Sequence, residues 1–215
     1  ALAFIFGAVG NKSNFCVMGA VSDIVNMGHW GRMRMWLLAI AVAMVGAGWL
    51  SYSGQVDLAK SIAQRPTLPW LSLLVGGLCF GVGMTLSGGC ANKNLIRVVL
   101  VFMAIAAYMT LKGLFGQWRA SLLDPVALNL ADYGWKDQSL VTAVARLTGM
   151  TPAAAQGTSL AVLVSALLVF VFKDKRFRAN RVQISGAVVI GALVVAGWYV
   201  SGHLGFLAED PATLE

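Results

Sequence analysis

The run PTLPWLSLLVGGLCFGVGMTLSGGCAN, from Pro66 to Asn92, holds 27 residues without a charged side chain. A helix needs about 20 such residues to cross a hydrocarbon core about 30 Å thick. Leu147 to Phe172, with 26, and Val182 to Ala208, with 27, repeat the pattern. The shorter stretches Met35 to Asp57 and Val98 to Leu111 also read as helices, the second lengthened where Lys112 snorkels to the interface. Trp36, Trp49, Trp70 and Trp198 stand near span ends, where amphipathic rings favour the headgroup layer. Five crossings follow, near 35–50, 70–87, 98–113, 152–172 and 184–204. Thr151-Pro152 gives the fourth an N-cap and a proline at its first turn. No strand alternation recurs at about ten-residue spacing, which argues against a β-barrel.

Composition agrees. Of 215 residues, 58% are hydrophobic and 12% charged, and mean hydropathy is +0.75. A soluble domain carries about 25% charge, so a soluble domain, a nucleic-acid binder and a disordered chain are excluded as first readings. The net charge of +7 is not spread as in a nucleic-acid protein: five of the 16 basic residues lie between Lys173 and Arg181. With Asp174 that loop is +4, the pattern of a cytoplasmic membrane loop. Arg32 and Arg34 precede the first full crossing, and four crossings separate them from the loop, so both basic sites fall on one side. Lys93 and Arg97 share that side. The tail with Glu209, Asp210 and Glu215 then faces outward. The chain starts at Ala1, already inside an apolar run, and ends at Glu215 without a terminating feature; it is expected to be a portion of a longer product.

Two segments do not fit plain crossings. Gly7 to Gly19 and Gly81 to Asn94 both start apolar and glycine-rich. Each reaches a polar cluster with one cysteine, an Asn-Lys pair and a further asparagine, and an apolar segment follows. The cysteines lie 74 residues apart, a weak internal repeat. Gly88-Gly89 costs about 1 kcal/mol per glycine relative to alanine in a helix. Backbone groups freed at membrane depth must find protein or water, and transporters use such breaks to aim half-helix N-termini at anions. Close packing is the competing explanation. It is favoured for Gly77 and Gly81, and stands level with chemistry for the two polar clusters.

The three cysteines are Cys16, Cys79 and Cys90. No Cys-x-x-Cys pair supports a membrane thiol oxidoreductase, and no histidine completes a metal-ligand spacing. Cys79, between Leu78 and Phe80, reads as a small buried hydrophobe. Cys16 and Cys90 lie in polar breaks, where a soft, weakly hydrogen-bonding thiol suits a soft sulfur anion. Lys12 and Lys93 raise the local potential, or simply snorkel. His29 and His203 read as interfacial. Asp23, seven residues after Cys16 and on its helix face, reads chiefly as a structural partner for Arg32 or Arg34.

Asn14-Phe15-Cys16-Val17-Met18-Gly19-Ala20-Val21-Ser22-Asp23 and the stretch from Phe80 to Asn92, with its Gly88-Gly89-Cys90, resemble the signature segments of the YeeE/YedE family. These are bacterial inner-membrane proteins of sulfur transport, associated with thiosulfate uptake. The resemblance covers most of 1–113, and 114–215 mainly by hydropathy. It implies an all-α integral membrane protein of pseudo-symmetric repeats, with short re-entrant or broken helices carrying the cysteines. The whole of 1–215 is then one membrane domain. Residues 1–34 form the first re-entrant segment and 35–113 hold helices and the Gly-Gly-Cys segment. Residues 114–151 form an extracytoplasmic connection with short amphipathic helices, and 152–215 hold two helices and a tail. By motif position, Cys16 and Cys90 are the substrate-contacting thiols, with Gly88, Gly89, Asn92, Lys93, Lys12 and Asn14 around them. Passage by transient thiol hydrogen bonds implies no catalysis, no cofactor and no metal. The family carries a further Gly-Gly-Cys-type motif in its second half, whereas this chain has no cysteine after Cys90.

The leading expectation is a multi-pass permease of the bacterial inner membrane for thiosulfate or a related sulfur-containing anion. The alternative is a non-transporting membrane scaffold subunit of a larger complex. The implied partners are the anion, the lipid bilayer, a cytosolic TusA-like sulfur-carrier protein and other membrane subunits, with no nucleic acid.

Overall fold

The computed structural model describes residues 1–55, 67–89, 100–129, 139–149 and 151–204. It divides the chain into two compact units, Ala1–Ser61 with Leu147–Glu215, and Ile62–Arg146.

In the first unit α1 (Leu2–Ser13) and α2 (Val17–Met27) meet at a break, and α3 (Gly31–Tyr52) follows. After the second unit come α8 (Pro152–Phe172), the short α9 (Lys175–Ala179) and α10 (Arg181–Tyr199), which continues as a π-helical turn over Val200–Leu204. Among the described residues three helices are long and apolar enough to cross a bilayer: Gly31–Tyr52, Ala154–Phe172 and Arg181–His203. They stand where the first, fourth and fifth crossings were predicted.

The core gathers Met35, Leu38, Ala39, Val171, Phe177, Ala187 and Ile190, with Phe6, Val9 and Phe15 packed onto it. Helix α3 lies beside both α10 and α8. A Cβ on Gly191 would stand 2.7 Å from Val42 Cβ and 2.8 Å from the Ala39 carbonyl oxygen. A Cβ on Gly186 would stand 2.7 Å from Ser13 Cβ. In lipid no hydrophobic force drives helices together, so close backbone approach through small residues holds the bundle.

Gly31 neighbours Gln183, Gly191 meets Ala39 and Val42, and Gly46 meets Val195. Helices α3 and α10 therefore run parallel and start at the same end of the unit. Arg34 pairs with Asp174 at that end, and lies 5.5 Å from the centroid of the Phe170 ring. The two basic sites read from the sequence are thus brought together. The Arg176 backbone N–H, opposed by desolvation and aided by the charge of Arg34, holds the Asp174 carboxyl below its ordinary value of 3.8. A depressed carboxylate stabilises the fold fully above its unfolded value, and that contribution is lost as pH falls through the lowered one.

Exposed apolar residues face outward from these helices, among them Ile40, Val45, Trp49, Val162, Val169 and Val194. Such a surface would be a liability in water and is the expected lipid face of a bundle.

The second unit holds α4 (Trp70–Leu86), α5 (Leu100–Leu111), the single-turn α6 (Leu114–Trp118) and most of α7 (Leu140–Thr148). Helices α4 and α5 stand at the two remaining predicted positions with 17 and 12 described residues. Between α6 and α7 the chain passes through a π-turn over Arg119–Leu123 and a 3-10 turn over Asp124–Val126. One feature departs from a purely helical reading. The two-residue strands β1 (Thr67–Leu68) and β2 (Leu128–Asn129) pair antiparallel. They fasten the start of α4, where Trp70 Nε1 also donates to the Val126 carbonyl at 3.0 Å. Extended backbone before a helix must place its hydrogen bonds somewhere, and here a second extended segment takes them.

A valine at Gly191 is expected to lower thermal stability in detergent by about 1–3 kcal/mol through overpacking. Gly197, whose Cβ would meet nothing within 4 Å among the described residues, should accept valine with little change.

Candidate functional site

Helix α1 ends because Asn14 turns left-handed, with φ 54° and ψ 40°. It is the one non-glycine residue with positive φ among the described residues. Asparagine tolerates that conformation better than other non-glycine residues. The Asn14 N–H reaches the Asn11 carbonyl at 3.3 Å and the Phe15 N–H reaches Gly10 at 2.9 Å, so two of the carbonyls in the last turn of α1 are satisfied. Ser13, buried, closes the turn by donating Oγ–H to Val9 at 2.7 Å.

Cys16 is then extended, with φ −149° and ψ 122°, and caps α2. Its Sγ accepts from the Gly19 N–H at 3.4 Å. This is the place usually held by Ser, Thr, Asp or Asn. Cys16 is buried, with 7% of its surface exposed. The break predicted in this segment is therefore present, and it puts a buried thiol at the positive end of a helix dipole. The first-turn N–H groups of α2 have no acceptor within their own helix.

The second signature ends its helix the same way. Helix α4 stops at Leu86, and Gly88 turns left-handed with φ 63°. Its N–H reaches the Thr85 carbonyl at 3.3 Å. Ser87 donates Oγ–H back to Met84 at 3.2 Å, as Ser13 does to Val9. Gly89 is buried. In both segments a serine precedes a left-handed residue that stands two positions before the cysteine. Cys90, Asn92 and Lys93 lie outside the described residues, so their predicted roles have no geometry here.

Lys12 and Asn14 are exposed. Lys12 lines a groove of about 250 Å³ between α1 and α10 with Val9, Ser13, Ser185, Gly186 and Val189. Cys16 is not among its lining residues. Cys79 corrects the sequence reading: it is exposed on α4 rather than buried. Apolar neighbours in a membrane helix mark the lipid face as readily as the protein interior.

Two features escaped the sequence, and a third settles an alternative it left open. Phe15 stacks on Trp36 with centroids 4.5 Å apart, which seats the break against α3. The Trp36 Nε1–H is buried without an acceptor among the described residues. Asp23, also buried, takes Arg32 rather than Arg34, with Nε 3.0 Å from Oδ2, and the Arg32 guanidinium lies over Gly19. The nine-residue spacing from Asp23 to Arg32 was the available signal for this pair. No group of three or more His, Cys, Asp or Glu side chains stands together among the described residues.

The chain matches the model of a family described as sulphur transport over residues 12–210. It is 27% identical over 124 residues to the thiosulfate transporter TsuA of Escherichia coli strain K12, covering 56% of this chain and 34% of that protein. It is 27% identical over 126 residues to the thiosulfate transporter TsuA of Spirochaeta thermophila, covering 54% and 37%. With the probable transporter YedE of Escherichia coli it shares 22% over 179 residues, covering 80% and 39%. The chain thus spans little more than a third of the length of these relatives. No solved structure matches it.

The cap separates fold from chemistry at Cys16. Cys16→Ser should keep or slightly raise thermal stability, because a hydroxyl caps better than a thiol. Cys16→Val should lower stability by about 1 kcal/mol, the usual cost of losing an N-cap. Unfolding in detergent checks both.

Proposed function

The chain belongs to the sulphur transport (YeeE/YedE) family, and on that premise we propose that it forms part of a membrane path for thiosulfate or a related sulfur-containing anion. The thiols of Cys16 and Cys90 are its contact points. The observation that carries this reading is the matched pair of helix ends. Ser13-Asn14-Phe15-Cys16 and Ser87-Gly88-Gly89-Cys90 each stop an apolar helix with a left-handed residue two positions before the cysteine. Such a stop at membrane depth has to be sustained by hydrogen bonds, and a repeated one answers to a shared need at the cysteine.

Cys16 meets that need in three ways. Its Sγ is held in place by the Gly19 N–H, and a thiol is both a weak acceptor and a weak donor. The N-terminus of α2 favours a negative charge nearby. Sulfur is poorly hydrated and soft, so an anion with a terminal sulfur loses little on leaving water to meet it. No covalent step enters this scheme: the anion exchanges water for transient hydrogen bonds and moves on. Gly88 and Gly89 allow close backbone approach before Cys90, and Asn92 and Lys93 add donors and charge. Asn14 shapes the first break, and Lys12 adds positive potential on α1. The scaffold alternative gains nothing from the repeated stops.

Membrane placement follows the charges. The end that carries Arg32, Arg34 and the 173–181 loop faces the cytoplasm, in a multi-pass protein of the bacterial inner membrane. Impermeant labelling of single cysteines introduced at Arg32 and Lys175 should find both on the cytoplasmic face; opposite faces would overturn the topology.

The function is tested by uptake of labelled thiosulfate in cells expressing the natural full-length protein at matched levels. Cys90→Ala should abolish uptake or reduce it strongly. Cys16→Ala should weaken it about tenfold, near the lower end of what one charge-assisted hydrogen bond contributes when it acts at the barrier. Cys79→Ala should be nearly silent. Equal transport by all three variants would make the cysteines packing residues.

A further inference from the structure

The ion pair between Asp23 and Arg32 lies along the face of α2 that carries Cys16. Positions 16, 19 and 23 follow one another on one side of a helix, and the guanidinium bridges the last two. Its Nε holds Asp23 Oδ2 at 3.0 Å. Its Nη1 occupies the space that a Cβ on Gly19 would fill. Arg32 Cζ and Cys16 Cβ each lie 3.6 Å from that same point. The cationic end of the pair is thus the end nearer Cys16, and the carboxylate lies further along the helix. This orientation repeats that of the α2 dipole, so the two fields add at the thiol.

Exposure gives the pair its sign. The Asp23 side chain is 10% exposed and that of Arg32 is 37% exposed. A buried carboxylate needs a fixed partner, which pins the guanidinium. A solute approaching the pair meets the cation and not the anion. Gly19 is what admits this arrangement, since any side chain there would push the guanidinium off the helix.

We propose that Arg32, pinned by Asp23 in the space left by Gly19, sets the positive potential at the Cys16 thiol and selects anions there. This makes Arg32 a specificity-determining residue for the transport reading, on which the inference rests.

Charge-selective labelling tests it without any transport. The chain is prepared with Cys79→Ser and Cys90→Ser, which leaves Cys16 as its one thiol. Reaction rates are compared for anionic 2-sulfonatoethyl and cationic 2-trimethylammonioethyl methanethiosulfonate, each normalised to neutral methyl methanethiosulfonate to remove changes in exposure. Arg32→Gln should lower the anionic-to-cationic rate ratio about tenfold, as expected for loss of a unit charge within a few ångströms at a partly buried site. Arg181→Gln, at the start of α10, should change it less than twofold. Gly19→Ala keeps every charge but displaces the guanidinium, and should lower the ratio at least threefold; it carries the test if Arg32→Gln fails to accumulate. A ratio that moves no more in these variants than in Arg181→Gln overturns the proposal.

If the buried thiol reacts with none of the reagents, the thiosulfate KM of the natural full-length protein decides. Arg32→Gln should raise KM at least fivefold over Arg32→Lys, and equal KM values would overturn the proposal. If the single-thiol form shows the labelling ratios but the wild-type full-length protein shows no uptake, the transport reading is refuted and the electrostatic assignment stands.

Discussion

A helix that stops inside an apolar bundle must place the carbonyls it abandons and the N–H groups of the helix that follows. The rest of the first unit is arranged around that constraint at Ser13–Val17. Asn14 bends the chain so that the N–H groups of Asn14 and Phe15 return to α1. Cys16 supplies the acceptor that starts α2. Phe15, packed against the core, stacks on Trp36 and ties the break to α3. Ser13 meets Gly186 on α10, so the break touches two of the three long helices that form the core.

Those two helices hold the break in place. Their contact sets glycines of one helix against apolar side chains of the other, Gly46 against Val195 and Gly191 against Val42, because in lipid the gain comes from close packing and not from removing surface from water. Parallel α3 and α10 bring the basic residues at the start of α3 and the basic loop before α10 to one end, where Arg34 meets Asp174 and Phe170. The charge asymmetry read from the sequence is therefore built into the helix packing. Asp23 and Arg32 extend the same theme inward: a short loop joins α2 to α3, and the ion pair braces it near the thiol.

Much of this was legible in the sequence, for identifiable reasons. Long uncharged runs state where helices stand, since a charge inside lipid is expensive; the helices at 31–52, 152–172 and 181–199 follow directly. The break near Cys16 was legible because glycine and asparagine cluster there. What the sequence could not show was which side of an apolar helix faces protein. Cys79 has apolar neighbours on both sides and is exposed, since hydropathy does not distinguish lipid from core. The choice of Arg32 over Arg34 as the partner of Asp23 was likewise beyond it, because both arginines open the same helix and the turn at Gly28, left-handed at φ 62°, fixes the phase between α2 and α3. Nor does a residue pattern announce that Gly19 is bare in order to seat a guanidinium.

The identity of the capping residue is the remaining step. If position 16 served only to start α2, serine or aspartate would do it better, because a thiol is a poor acceptor. If it served only to fill space in the bundle, an extended residue with its side chain turned onto its own helix would be an awkward choice. Cysteine gives up cap strength and gains a soft, weakly bonding group beside a cation. The path proposed above calls for that compromise: binding favourable enough for an anion to enter and weak enough for it to leave. An arginine alone at the break would hold an anion tightly, and a hydroxyl would hold water in its place. A thiol next to a guanidinium that is already engaged with a carboxylate offers attraction without a trap.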